Sequence, residues 1–144
     1  MAFQRTTMLK LIQYLRPFAK YLLIAWVAII IILSSIPNIP TLKIHISRSD
    51  FRLDYFMHFC EYGVLTFMAF LAFAEDEFRI NWKIFIALVV CLILFAILDE
   101  LHQKLIEGRT CSIKDVASDV MGVVAAIVFT LVVFRSVRIG IEKT

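Results

Sequence analysis

Residues 55–74 read YFMHFCEYGVLTFMAFLAFA. As a helix this run is about 30 Å long, enough to cross the hydrocarbon core of a bilayer. Yet His58 and Glu61 lie inside it and Asp54 stands just before it. The spacing i, i+4 and i+7 puts all three on one helical face. Ionisable groups are expensive at membrane depth, so such a face marks a functional site or a polar network with partners.

Working outward, residues 18–36, 80–98 and 116–134 form three more apolar runs of comparable length. Over the 144 residues, 61% are hydrophobic, against about 45–50% in soluble domains. The runs are apolar all round rather than striped, as lipid-facing helices are. The expected fold is therefore all-α, an integral membrane four-helix bundle in one domain over residues 18–135. Residues 1–17 are expected to form a short basic amphipathic helix at the interface, with Met8, Leu11, Ile12 and Leu15 at helical spacing. Pro17 should break or re-aim the chain into the first span. The run after it lacks a small-residue cleavage site, so it reads as an uncleaved span rather than a secretion signal. Residues 136–144 are left as a tail.

Charge gives an orientation. With both termini inside, nine basic residues fall on the cytoplasmic side, among them Arg5, Lys10, Arg16 and Lys20, and six on the outer side. The positive-inside rule thus places both termini in the cytoplasm, in a multi-pass protein of a bacterial cytoplasmic membrane. The net charge of +3 suits anionic lipid headgroups, and nothing points to nucleic acid. Cys60, Cys91 and Cys111 make no C-x-x-C pair and imply neither a disulfide framework nor a zinc site.

The polar residues gather at one end. Asp99 and Glu100 close the third run, Gln103 shares a face with Asp99, and Glu100 points about 100° away. Gly108 suits a turn, and Ser112 to Asp115 has the form of a capping box opening the fourth helix. Asp119 follows one turn later on the face of Asp115. If the spans pack together, Asp54, His58, Glu61, Asp99, Gln103, Asp115 and Asp119 meet in a shallow cup, covered by a loop carrying Arg109. Each also has a plainer role: Asp54 and Asp115 as helix caps, His58 as a satisfied core histidine, the whole set as polar glue. Thr41–Ser47 alternates polar and apolar residues and is expected to be extended, with His45 in solvent; Glu75, Asp76 and Glu77 make a charged turn without chemistry.

These residues resemble the VanZ-like membrane proteins. The family's Ser-Ser-x-Pro stands here as Ser34-Ser35-Ile36-Pro37, and its Asp-x-x-x-His-Phe-x-x-Tyr as Asp54 through His58 and Phe59 to Tyr62. Its Asp-Glu-x-x-Gln is Asp99-Glu100 to Gln103, followed by Gly108-Arg109 and by Asp115, Asp119 and Gly122. A carboxylate at Asp119 replaces the commoner amide. The resemblance implies a four-span envelope protein and, through the family's named member, a link to low-level resistance to the glycopeptide teicoplanin. It fixes no activity.

The expectation is a site for a lipid-linked or phosphate-bearing envelope precursor, whether as an enzyme or as a binding protein. Catalytic candidates are His58 and Asp99, trading protons, with Glu100. Arg109, Gln103 and Tyr62 would bind substrate, with Arg109 on the anionic head group. Asp54, Glu61, Asp115 and Asp119 would tune the site or hold a cation. No cofactor is expected; carboxylates beside one histidine can also take a divalent metal, but no metal motif such as H-E-x-x-H assigns ligands. Gly122 would let two helices approach closely. The alternative is a non-catalytic scaffold or shielding protein whose polar cluster only stabilises the bundle. Four spans without a broken-helix pair disfavour a transporter.

Overall fold

The computed structural model describes residues 10–38, 43–46, 49–109 and 112–141. Residues 1–9 of the expected interfacial segment, Thr41 and Ser47 of the extended one, Cys111, residues 142–144 and the side chain of His45 lie outside that description. Four helices are long and apolar enough to span a membrane: α1 (Lys10–Ser34), α2 (Leu53–Phe73), α3 (Trp82–Gln103) and α4 (Ile113–Ile141). Their exposed side chains include Ile24, Ile32, Leu94, Leu98, Val128 and Val132. In water that surface would be untenable; facing lipid it is the expected one. The protein is a multi-pass membrane bundle whose spanning elements are all helices.

Between α1 and α2 the chain makes a small antiparallel hairpin, β1 (Lys43–Ile46) with β2 (Ser49–Arg52), Lys43 opposite Arg52 and Ile46 opposite Ser49. Lys43–Ile46, the described part of the stretch read as extended, forms its first strand.

The N-terminal segment differs from expectation. Its described part runs directly into the first span, because Arg16–Phe18 tightens to a 3-10 turn instead of breaking. A proline lacks the N–H and crowds the carbonyl four residues back; one turn of tighter helix accommodates both. The expected tail is likewise helical as far as Ile141. Val137 is 2% exposed and packs inward, so burial carries α4 beyond the predicted span end.

The core lies between α2 and α4, which form the most extensive pair, with α1 on α2 and α3 against both. Tyr62, Leu65 and Phe70 of α2 are buried with Ala96 of α3 and Val123 and Phe134 of α4. Glycine makes the α2–α4 contact possible. A Cβ at Gly122 would overlap the carbonyl oxygen of Phe59 and would come within 3.2 Å of the Gly63 nitrogen. Backbone therefore packs on backbone, as expected of small residues between membrane helices.

The end holding the chain start is closed by Arg16, which donates to the Ala74 carbonyl (3.2 Å), pairs with Asp76 (3.5 Å) and lies over the Phe78 ring. Glu77 and Phe78 take left-handed φ values of 58° and 56° in that turn. The reversal drives Phe78 onto Phe134, with ring centroids 5.4 Å apart. Asn81 then opens α3 by accepting from the Lys83 N–H at 2.9 Å. At the other end converge the C-termini of α1 and α3 and the N-termini of α2 and α4, where every predicted polar residue of the site resides.

Replacing Gly122 by leucine should force α2 and α4 apart and lower stability by about 1–3 kcal/mol or more. Thermal unfolding of the detergent-solubilised variant checks this; a melting temperature equal to that of the native chain would contradict the close approach.

Candidate functional site

His58 lies in the second turn of α2 and is 8% exposed. Its Nδ1 is 3.0 Å from Oδ1 of Asp119 on α4. Its Nε2 is 3.8 Å from Oε1 of Glu100 on α3. One imidazole thus joins three helices, with a carboxylate at each ring nitrogen. Asp119 is 0% and Glu100 1% exposed.

Glu100 also serves the neighbouring helix. Its Oε2 accepts from the backbone N–H of Ser112 at 3.2 Å, tying the end of α3 to the start of α4. Ser112 caps as expected, its Oγ accepting from the Lys114 N–H (3.2 Å). The glutamate from α3 takes the reciprocal place that the capping-box reading gave to Asp115. Asp115 is instead buried at 3% exposure, one turn from Asp119.

The 100° between Asp99 and Glu100 places them toward different neighbours. Glu100 faces α4 and His58. Asp99 accepts from Gln103 Nε2 at 3.2 Å, and Gln103 reaches Ser34 Oγ of α1 at 3.5 Å. Histidine and Asp99, paired in the sequence reading, sit in separate contacts here; the near neighbours of His58 are Asp119 and Glu100.

In front of His58 a cup of about 80 Å³ opens, lined by Leu33, Ser34, Asp54, Met57, His58, Glu61, Gln103 and Arg109. Such a space holds a few waters or one small polar group. Arg109 frames it while gripping the end of α1: its Nη2 donates to Leu33 O (2.7 Å) and its Nε to Ile36 O (3.2 Å). A guanidinium carries five N–H donors, so others remain for the cup. Behind His58 lie Glu100, Asp119 and Asp115. Tyr62, 0% exposed, is one turn further along α2 and packs near Phe95; it does not line the cup. The site therefore has two compartments, with the imidazole as the wall between them.

Polar atoms in the rear compartment are incompletely satisfied. Among the described residues Oε1 of Glu100, Oδ2 of Asp119 and the Tyr62 hydroxyl have no hydrogen-bond partner. A buried group in that condition costs about 1–3 kcal/mol. A histidine between two carboxylates can share a proton with them or, with those carboxylates, hold a cation.

A family model described as VanZ/LLP1 matches residues 4–135. The chain belongs to the VanZ/LLP1 family. No curated protein and no solved structure matches it. The motifs that carried the VanZ resemblance are the ones that build this end of the bundle: Asp54 and His58, Asp99 to Gln103, Gly108-Arg109, and Asp115 to Gly122.

Several contributors in this VanZ-family chain were given no place in the site by the sequence reading. Ser34 lines the cup, and Ser35 Oγ lies 3.0 Å from His102 Nε2. Asn38 donates its N–H to Glu107 O at 3.2 Å, and Gly108, at φ +77°, has no room for a side chain beside it. The Ser-Ser-Ile-Pro end of α1 thereby stitches to the α3–α4 loop. The available signal was its position at the same membrane end as the acids. Trp26 is a further tie, its Nε1 donating to the Glu61 carbonyl at 3.0 Å.

Replacing Asp119 by leucine strands His58 and Glu100 and should cost about 3–5 kcal/mol. Replacing it by asparagine, which keeps an acceptor for Nδ1–H, should cost less than half of that. Comparing the two unfolding curves decides the matter: equal losses would show that hydrogen-bonding capacity at this position carries no weight.

Proposed function

We propose that this VanZ-family protein lies in the bacterial cytoplasmic membrane with both termini inside, and that its cup binds the phosphate-bearing head of a lipid-linked envelope precursor at the outer leaflet. A role in glycopeptide resistance would follow from that binding, through the precursor that glycopeptides recognise. The observation that carries this reading is the cup itself: a small polar recess at a membrane end, framed by a guanidinium with unused donors.

Arg109 suits a phosphate, because charge-assisted and bidentate contacts favour guanidinium over other cations there. Asp54 and Glu61 suit the hydroxyl groups of an attached sugar, which donate to carboxylates. An apolar groove of about 400 Å³ between α2 and α4, lined by Phe59, Gly63, Phe67, Gly122 and Phe129 among others, has the chemistry of a hydrocarbon tail. Phe59 and Cys60 of that groove are sequence neighbours of His58 and Glu61 of the cup. Basic residues Arg16, Lys20, Arg79, Lys83, Arg135 and Arg138 belong to the opposite end of the bundle, which supports a cytoplasmic placement for it.

A second reading rests on a different observation. Arg109, Glu100 and His102 each bridge two segments at the polar end. A scaffold or shielding protein would need those bridges and no ligand.

Undecaprenyl phosphate added to the purified protein separates the two. If the cup binds it, saturating lipid at about a hundred times Kd should stabilise the native chain by about 2.7 kcal/mol. The Arg109→Gln variant should lose that shift and also about 1 kcal/mol of intrinsic stability from its helix-end contacts. His58→Gln tests the polar wall of the cup and Asp99→Asn the support of its Gln103 in the same assay. No shift in the native chain, with variants that melt early, would leave the scaffold reading. Orientation has its own check: a reporter fused to the C-terminus that is active only in the cytoplasm should be active.

A further inference from the structure

We propose that the rear compartment is a divalent transition-metal site, with Mn²⁺ or Zn²⁺ held by His58, Glu100 and Asp119. The inference shares His58 with the cup of the preceding reading but needs no lipid to be true.

One donor atom from each of these three residues lies within 4.8 Å of the others. Asp119 Oδ1 engages Nδ1 at 3.0 Å, which directs the Nε2 edge of the ring toward Glu100 Oε1, 3.8 Å away. That separation is too long for a hydrogen bond. It is short enough for one ion to touch both, since two donors at usual metal–ligand lengths can be up to about 4.3 Å apart. Two oxygens of these side chains, Oε1 of Glu100 and Oδ2 of Asp119, lack hydrogen-bond partners among the described residues. Both side chains are almost fully buried, at 1% and 0% exposure.

A divalent ion would neutralise the two carboxylates beside a neutral imidazole, and an unbalanced charge is costly at membrane depth. One nitrogen with carboxylate oxygens suits manganese or zinc, whereas magnesium and calcium prefer oxygen alone. Three protein ligands leave a coordination position open, as in metal sites that bind an exogenous ligand. A cation at that place makes His58 a ligand, and it brings positive charge to the wall of the acidic cup, where an anionic head group needs it.

The test uses the full chain, purified in detergent without added lipid and freed of any affinity tag. The protein is stripped with chelator, incubated with Mn²⁺ or Zn²⁺, desalted, and assayed for metal by mass spectrometry. The native chain should retain about one ion per molecule. Glu100→Gln keeps an acceptor for the Ser112 N–H but removes the charge, and should lose retention. Asp119→Asn should weaken binding by about 10–100-fold. Asp76→Asn, at the opposite end, should retain metal like the native chain. X-ray absorption on the zinc-loaded native chain needs no variant to fold: it should show one imidazole and otherwise oxygen donors. No retained metal in the native chain, undiminished retention in Glu100→Gln, or a sulfur shell from the cysteines would each overturn the proposal. Because lipid is absent throughout, a negative result here leaves the lipid reading standing, and a lipid shift without metal retention refutes only this one.

Discussion

An imidazole with a carboxylate at each nitrogen can exist at membrane depth only if three helices arrive at it together. His58 belongs to α2, Asp119 to α4 and Glu100 to α3. No two of those helices satisfy the third residue. The geometry that meets this demand starts from the backbone. Gly122 lies one turn beyond Asp119, and its lack of a side chain lets α4 rest on the Phe59 carbonyl, the residue next to His58. Close approach at that level sets the 3.0 Å contact one turn away. The Glu100–Ser112 hydrogen bond then brings the α3 end to the α4 start, and α1 is drawn in through Gln103, Arg109 and Ser35.

The arrangement separates tasks by depth. Residues that meet the cup range from buried Ser34, His58 and Gln103 to half-buried Asp54, Glu61 and Arg109, and they vary in charge, as a binding surface requires. Those behind it are buried and acidic, and one oxygen each of Glu100 and Asp119 lacks a hydrogen-bond partner among the described residues. The far end of the bundle is built from different material: a cation over an aromatic ring, a left-handed turn and aromatic stacking. It holds the helices together without burying charge, so the strain of the polar cluster is confined to one end.

Much of this was legible in the sequence, for a physical reason. Membrane spans are read from run length, and run length placed all four helices. Period then placed Asp54, His58 and Glu61 on one face, and Gly122 at a close contact. What period does not contain is the identity of the neighbour a face meets. That is why the 100° between Asp99 and Glu100 was foreseen, while the choice of Glu100 over Asp99 as the partner of His58 was not. Tyr62 reads as a site residue by motif, yet its side chain turns into the core. Arg109 reads as the cation for an anionic head group, yet two of its donors hold α1, because helix-end carbonyls compete for any guanidinium nearby. Pro17 shows the limit of single-residue rules: its disruption is local enough for a 3-10 turn to absorb.

The order of helices along the chain gives the His58–Asp119 contact a bearing on biogenesis. α2 enters the membrane carrying His58 and Glu61 well before α4, which supplies Asp119, has been synthesised. Until then α2 must keep its polar face toward water, headgroups or the insertion machinery. The contact with Asp119 therefore ties the final position of α2 to a span made two helices later. A chain truncated before α4 would leave α2 without a way to bury that face, which makes it a natural substrate for membrane quality control.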